Sequence, residues 1–164
     1  MESPLKALIA GYAQSGQVAW MGLRPARRAD MREVSQVDVQ PKGLVGDHGA
    51  SDKRAVTLLQ AEHLTPIGSY LGKEAVEPVQ LRRNFVIRGM NLSALKGRQV
   101  QVGNAVLEIT GICAPCSRME ETLGKGGYSA VRGHGGWCAR VIVPGRVALG
   151  DLVAPVPKQT ERDV

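Results

Sequence analysis

The sequence predicts a mainly β protein, a closed or nearly closed β-barrel with a few short helices, and three observations lead there. Short segments rich in Val, Ile and Leu recur along the 164 residues, punctuated by most of the 20 glycines. Apolar spacing of the helical kind is scarce. No run alternates strand with helix as a parallel doubly wound sheet would. A chain of this length buries one good core and is short for two.

The elements follow in order. "LKALIAGYA" (5–13) reads as a first strand from its apolar run, and "MREVSQVDVQ" (31–40) as a second. "GLVGDHG" (43–49) is a turn, where Gly takes positive φ and an Asp can satisfy nearby backbone N–H groups, although His48, Asp52, Lys53 and Arg54 after Asp47 leave its role open. "RAVTLLQ" (54–60) is again a strand, and "LQAEHLTPIGSYLG" (59–72) a helical stretch interrupted by Pro66. "NFVIRG" (84–89) is a strand. "RQVQVG" and "AVLEITG" make the clearest hairpin, with Gly103 and Asn104 as its two-residue turn. "PCSRMEETLG" (115–124) begins a helix, with Pro115 placed well near its start. "WCARVIVPG" and "RVALGDLV" complete the strands, and Asp151 has a turn role like that of the first Gly-Asp. Residues 1–155 are expected to form the barrel domain, and the polar, proline-bearing stretch 156–164 a fraying tail.

Composition narrows the function classes. Apolar residues make up 43%, yet no stretch approaches the roughly 20 needed for a spanning helix. The first residues lack the basic flank and long apolar run of a secretory signal. The expectation is a cytoplasmic protein with no membrane association. Three cysteines, an odd and small number, argue against a disulfide scaffold. The charge is +6, with arginines clustered in "RPARRADMR" and "LRRNFVIRG". Solvated faces account for such clusters in many proteins. Six aromatic residues and no reading motif argue against nucleic acid as a partner. A small phosphorylated anion suits arginine well, because the guanidinium offers a fork of donors.

"GICAPCSRMEE" (111–121) carries the strongest chemical signal, a C-x-x-C at a strand-to-helix junction. A redox pair of Cys113 and Cys116 is one reading, although the α/β alternation of thioredoxin-like folds is missing. Zinc is a second, with Cys113, Cys116, His134 and Cys138 as ligands at C-x2-C and H-x3-C spacing. Against it, Cys138 shares a strand face with Arg140 and Ile142, as a small buried residue would. A third reading makes one thiol a soft ligand for something larger. Among the histidines His48, His63 and His134, which are candidate general bases, His63 sits in a helix-like stretch that gives it a structural role. His134, in the glycine-rich "RGHGGW", could join Arg132 and Arg140 in an anion-binding rim or belong to an ordinary connection.

Taken in order, "GLVGDHGASDKRAVTLLQAEH", "RRNFVIRGMNLSALKGRQVQVGNAVLEITGICAPC" and "GGWCARVIVPGRVALGDLV" resemble the MOSC domain, the C-terminal module of molybdenum-cofactor sulfurases. The likeness is to small stand-alone MOSC proteins and runs from about Leu5 to Val153. It implies a barrel with a functional cysteine, Cys116, reached through the barrel's open end. It also implies the molybdenum cofactor (molybdopterin), with Cys116 ligating molybdenum or carrying sulfur and Cys113 a weaker second candidate. The candidates for holding the cofactor's phosphate are Arg54, Arg83, Arg132 and Arg140, with Asn84 and His134 beside them. Some relatives reduce N-hydroxylated bases and amidoximes with electrons from separate redox partners. The expectation is therefore a reductase of small N-hydroxylated molecules, or else a carrier that delivers cofactor or sulfur to a partner enzyme. Cys113 departs from the family pattern and keeps the redox and zinc readings open. With no aminotransferase-like domain, pyridoxal-phosphate chemistry does not reside in this chain.

Overall fold

The structure, a computed structural model, describes residues 3–49 and 52–157. Eleven strands carry the fold: β1 (Gly16–Leu23), β2 (Arg32–Glu33), β3 (Gln36–Gln40), β4 (Gly43–Leu44), β5 (Val56–Gln60), β6 (Phe85–Arg88), β7 (Gln99–Val102), β8 (Ala105–Ile112), β9 (Trp137–Val143), β10 (Gly145–Ala148) and β11 (Leu152–Pro155). Five short helices join them: α1 (Pro4–Ile9), α2 (Leu64–Ser69), α3 (Pro78–Leu81), α4 (Ser117–Leu123) and α5 (Gly127–Val131).

Seven strands close a ring in the order β11, β7, β8, β9, β5, β6, β1, and β1 pairs back onto β11 through Gly16↔Val153 and Gln17↔Leu152. β2 extends the ring from β1. The pairings are antiparallel except β5 with β6, which run parallel and need the α2–α3 segment as their crossover. The expected mainly β barrel is what the chain forms. A second sheet, β10-β3-β4, turns Val37, Val39, Leu44 and Val147 into the same interior.

Alternation explains which side chains fill it. In β7 and β3 every second residue is buried, so the two-residue period shows directly. β5 is buried throughout, because the helices cover its outer face. Leu58 and Phe85 point into the barrel, while Leu59 and Val86 pack outward against Ile67, Leu81, Met119, Leu123 and Val131. Each such side chain contributes about 1.5–3 kcal/mol on burial. This second core docks α4 on the barrel wall, and with it the cysteine-bearing loop.

Three elements differ from the sequence reading. The 31–40 strand is divided into β2, paired with β1, and β3, in the second sheet. The 5–13 stretch is the helix α1 over Pro4–Ile9, started by Ser3, whose hydroxyl accepts from Lys6 N–H, with Pro4 in the first turn. The apolar run does not mark a buried strand; α1 buries none of its residues. The true first strand, "GQVAWMGL", went unrecognised. The Gly103–Asn104 hairpin forms as expected, with Val102 opposite Ala105. Gly103 has φ +57°, and Asp151 accepts from Ala148 N–H at 2.8 Å beside it. Of the expected tail, Val156 donates to Gln99 O at 2.9 Å, and 158–164 lie outside the described residues.

Candidate functional site

One level of the barrel wall organises the site. Gly111 pairs with Cys138, and Cys138 with Thr57. Asn84 N–H donates to Thr57 O at 3.1 Å, and Gly22 N–H to Asn84 O at 2.9 Å. By register Arg24, Arg54 and Arg83 lie one to three positions to one side of this level and Cys113 two positions to the other. The Arg83 side chain bridges the two sides, its Nη2 donating to Cys113 O.

Asn84 is fully buried and locks this rim. Its Oδ1 accepts from Thr57 N and Oγ1, both at 3.1 Å, and its Nδ2 donates to Gly22 O at 3.1 Å and Asp47 Oδ1 at 3.2 Å. Asp47 has no exposed side-chain surface and also accepts from Arg24 N–H, Arg24 Nε and Gly49 N–H. Burial works to raise its carboxyl, but the Arg24 guanidinium and the backbone N–H bonds outweigh it and hold the group below the usual carboxylate range. The first Gly-Asp turn thus anchors Arg24 as well as turning the chain.

Arg83 is 6% exposed and points inward. Nε donates to Gly135 O at 2.7 Å, Nη1 to Leu81 O at 3.2 Å, and Nη2 to Cys113 O at 3.2 Å and Ala114 O at 3.3 Å. Four carbonyls, and no carboxylate among the described residues, bond this buried cation. Three belong to the cysteine loop and the glycine-rich loop before β9, and the fourth is Leu81 O at the end of α3, so Arg83 binds those two loops to each other and to α3. Such a bond pattern leaves little of the guanidinium for a ligand.

The three thiols have different surroundings. Cys113 and Cys138 are buried; Cys116, at the junction before α4, is exposed. Cys113 and Cys138 share one face of the barrel wall, since Gly111 stands opposite Cys138 and Cys113 N–H donates to Gly136 O. The Cys138 S–H is the main cause that lowers the Cys113 thiol, burial opposes it, and the charges of Arg83, Arg24 and Arg54 add to it, leaving Cys113 at about 6. Cys138 is pushed up in turn. The C-x-x-C spacing therefore does not describe the contact that forms. Among the described residues no three His, Cys, Asp or Glu groups gather as a metal site would require, so the four proposed zinc ligands do not converge.

Cys116 lies within electrostatic reach of an arginine that the sequence reading did not single out, Arg82. Burial first, then the positive charges of Arg118 and Arg24, pull the Arg82 guanidinium below its ordinary value, while Cys116 and Asp30 push it back. Arg82 has φ +57° and donates Nη1 to Ala29 O at 2.6 Å. Arg118 donates Nη2 to Arg28 O at 3.0 Å, and its buried Nε has no partner among the described residues. Both arginines line a cleft of about 320 Å³ with Asp30 and Gln80. The signal was present in "RPARRADMR" and "LRRNF", but two adjacent arginines do not announce which turns inward.

The remaining candidates lie apart from this group. Arg54 and Arg132 are exposed. Arg140 pairs with Asp52 Oδ2 at 2.9 Å and Glu108 Oε1 at 3.1 Å. His134 sets its ring edge-on to His63 at 5.3 Å and stacks on Tyr70 at 6.0 Å, beside a cleft of about 200 Å³ that includes Gln60 and Trp137. Burial and His134 push His63 down. No hydrogen bond or ion pair among the described residues joins His134 with Arg140.

The donor set around Cys116 fits a soft metal carried on an anionic cofactor: an exposed thiol, several guanidinium groups and one buried N–H left without a partner. A family model described as the MOSC domain matches residues 45–154. Among solved structures, the chain is similar to the YuaD protein from Bacillus subtilis, at 18% identity and a TM-score of 0.77, covering 91% of this chain and 100% of that one. It is similar to YiiM from Escherichia coli, at 18% identity and a TM-score of 0.70, covering 91% and 73%. YiiM from Geobacillus stearothermophilus gives 16% identity and a TM-score of 0.72, covering 89% and 77%. Identities this low establish a shared fold alone. The comparison with curated proteins finds no match.

Proposed function

The chain belongs to the MOSC domain family, and from that premise we propose that it binds the molybdenum cofactor at Cys116 and reduces N-hydroxylated compounds there. Membership ties the chain to molybdenum-cofactor biology; the residues and the reaction are our reading. The observation that carries it is Cys116, the exposed thiol of the three, at the junction before α4, two residues from Arg118 and within electrostatic reach of Arg82. When bound, the cofactor supplies the two-electron chemistry that reduces an N–O bond.

The protein's own residues bind and orient. The Cys116 thiolate is a soft donor for molybdenum. Arg82 and Arg118 offer N–H groups to the cofactor's phosphate, and the unpartnered Arg118 Nε has a donor to give. Arg83 holds the loop that presents Cys116, through the carbonyls of Cys113 and Ala114. Asn84 and Asp47 fix Arg24 at the rim. On this reading Arg83 and Asn84 act through the scaffold, and electrons reach the site from a separate redox partner.

The test compares protein purified from a host competent in cofactor synthesis with protein from a deficient one, as wild type and Cys116→Ser. Molybdenum and pterin should copurify with wild type from the competent host and fall at least tenfold in Cys116→Ser. Reduction of an amidoxime by a chemical reductant should follow the metal. Metal retention without turnover would make the chain a carrier, and full retention in Cys116→Ser would end the assignment of that residue.

A further inference from the structure

We propose that Cys113 and Cys138 form a reversible disulfide when a hydroperoxide oxidises the protein, a modification site separate from the exposed Cys116. The two residues come from adjacent strands of the barrel wall. Gly111 stands opposite Cys138, and Cys113 N–H donates to Gly136 O at 2.9 Å, so the pairing of β8 with β9 continues to Cys113. Strand alternation returns Cys113 to the face of Gly111, next to Cys138. Gly111 has no side chain to stand between them. The two thiols are buried diagonal neighbours on one face of the β8–β9 pair, whereas Cys116 is exposed.

The surroundings assign the roles. Arg83 is a buried cation whose hydrogen-bond partners among the described residues are all carbonyls, and its positive charge favours a thiolate at Cys113. Cys113 therefore holds the thiolate and Cys138 the proton. In the first step the Cys113 thiolate attacks one peroxide oxygen; the O–O bond breaks and hydroxide leaves, forming Cys113 sulfenic acid. The Cys138 sulfur then attacks the Cys113 sulfur; the S–O bond breaks, and the departing hydroxide takes the Cys138 proton as water. Each sulfur gives up one electron, the two together reducing one peroxide. A thiol reductant reverses the change by exchange.

Tryptic peptides distinguish this pair from the C-x-x-C pair. Residues 99–118 carry both Cys113 and Cys116, and residues 133–140 carry Cys138. Wild type and Cys116→Ser are treated with hydrogen peroxide, alkylated, digested and analysed by mass spectrometry. In Cys116→Ser the 99–118 and 133–140 peptides should be linked, at least tenfold above the untreated sample, and dithiothreitol should release them. In wild type the same link should form with Cys116 alkylated. In Cys138→Ala, Cys113 should be trapped as sulfenic acid by dimedone. An intrapeptide Cys113–Cys116 disulfide in wild type, or no link in Cys116→Ser, would overturn the proposal.

Discussion

Replacing Arg83 with Met separates a scaffold role from direct cofactor contact. The substitution keeps a long unbranched side chain but removes four hydrogen bonds, to Gly135, Leu81, Cys113 and Ala114. Bonds from a charged donor contribute about 1.5–3 kcal/mol each, and carbonyls left buried without partners cost about 1–3 kcal/mol. Removing the guanidinium also ends the cost of burying it, which offsets part of this loss. A net destabilisation of about 3–5 kcal/mol is expected, the size seen when a buried charged network is broken. For a chain of this length that lowers Tm by roughly 6–20 °C. Urea unfolding of cofactor-free protein, followed by tryptophan fluorescence, measures it directly. Trp137 reports well, because it follows the Gly135–Gly136 loop that Arg83 holds. A change under about 1 kcal/mol in the cofactor-free protein, with cofactor retention lost, would refute the scaffold argument and return Arg83 to the ligand contacts.

Three further outcomes follow from the same geometry. Asp47 has a folded-state pKa below its ordinary 3.8, so the stability it contributes is fully present above that value and is lost as pH falls through the folded one. Acid unfolding of wild type should steepen below about pH 4, and Asp47→Asn should remove that dependence while costing about 3–5 kcal/mol at neutral pH. Gly136→Ala should abolish soluble, folded protein: φ is +90°, and an added Cβ would lie 2.0 Å from Leu58 O. Gly103→Ala should be milder, about 1–2 kcal/mol in urea unfolding, since φ is +57° and the crowding atom is the Asp151 carboxylate.

Periodicity made β3, β7 and β8 legible, because each has one face in the core and one outside. β1 was not, since its burial alternates only at its start and Met21, Gly22 and Leu23 are all buried, so no sustained two-residue period shows. α1 misled for the opposite reason: its apolar residues stay exposed, so composition pointed to burial that does not occur. The signal that could have corrected it was Ser3-Pro4, a helix cap followed by the residue best suited to a first turn. At the site, Cys116 and its junction could be read from the spacing of two cysteines and a proline. The partnership of Cys113 with Cys138 could not, because it depends on the register of β8 against β9. Arg82 and Arg83 show the same limit. They are neighbours in sequence, yet one comes within electrostatic reach of Cys116 and the other turns into the wall, and only the left-handed backbone at Arg82 decides which.

The seam between β1 and β11 has a consequence for how the chain is made. The ring joins its earliest strand to its latest, so on the ribosome β1 and β7 emerge long before the strand that lies between them. Until residues 152–155 are available, both present open edges with unpaired backbone groups. Closure is thus a late event held together by distant contacts, slow by the same logic that makes non-local pairing slow. During synthesis the open edges are the part of the molecule most exposed to pairing with another nascent copy.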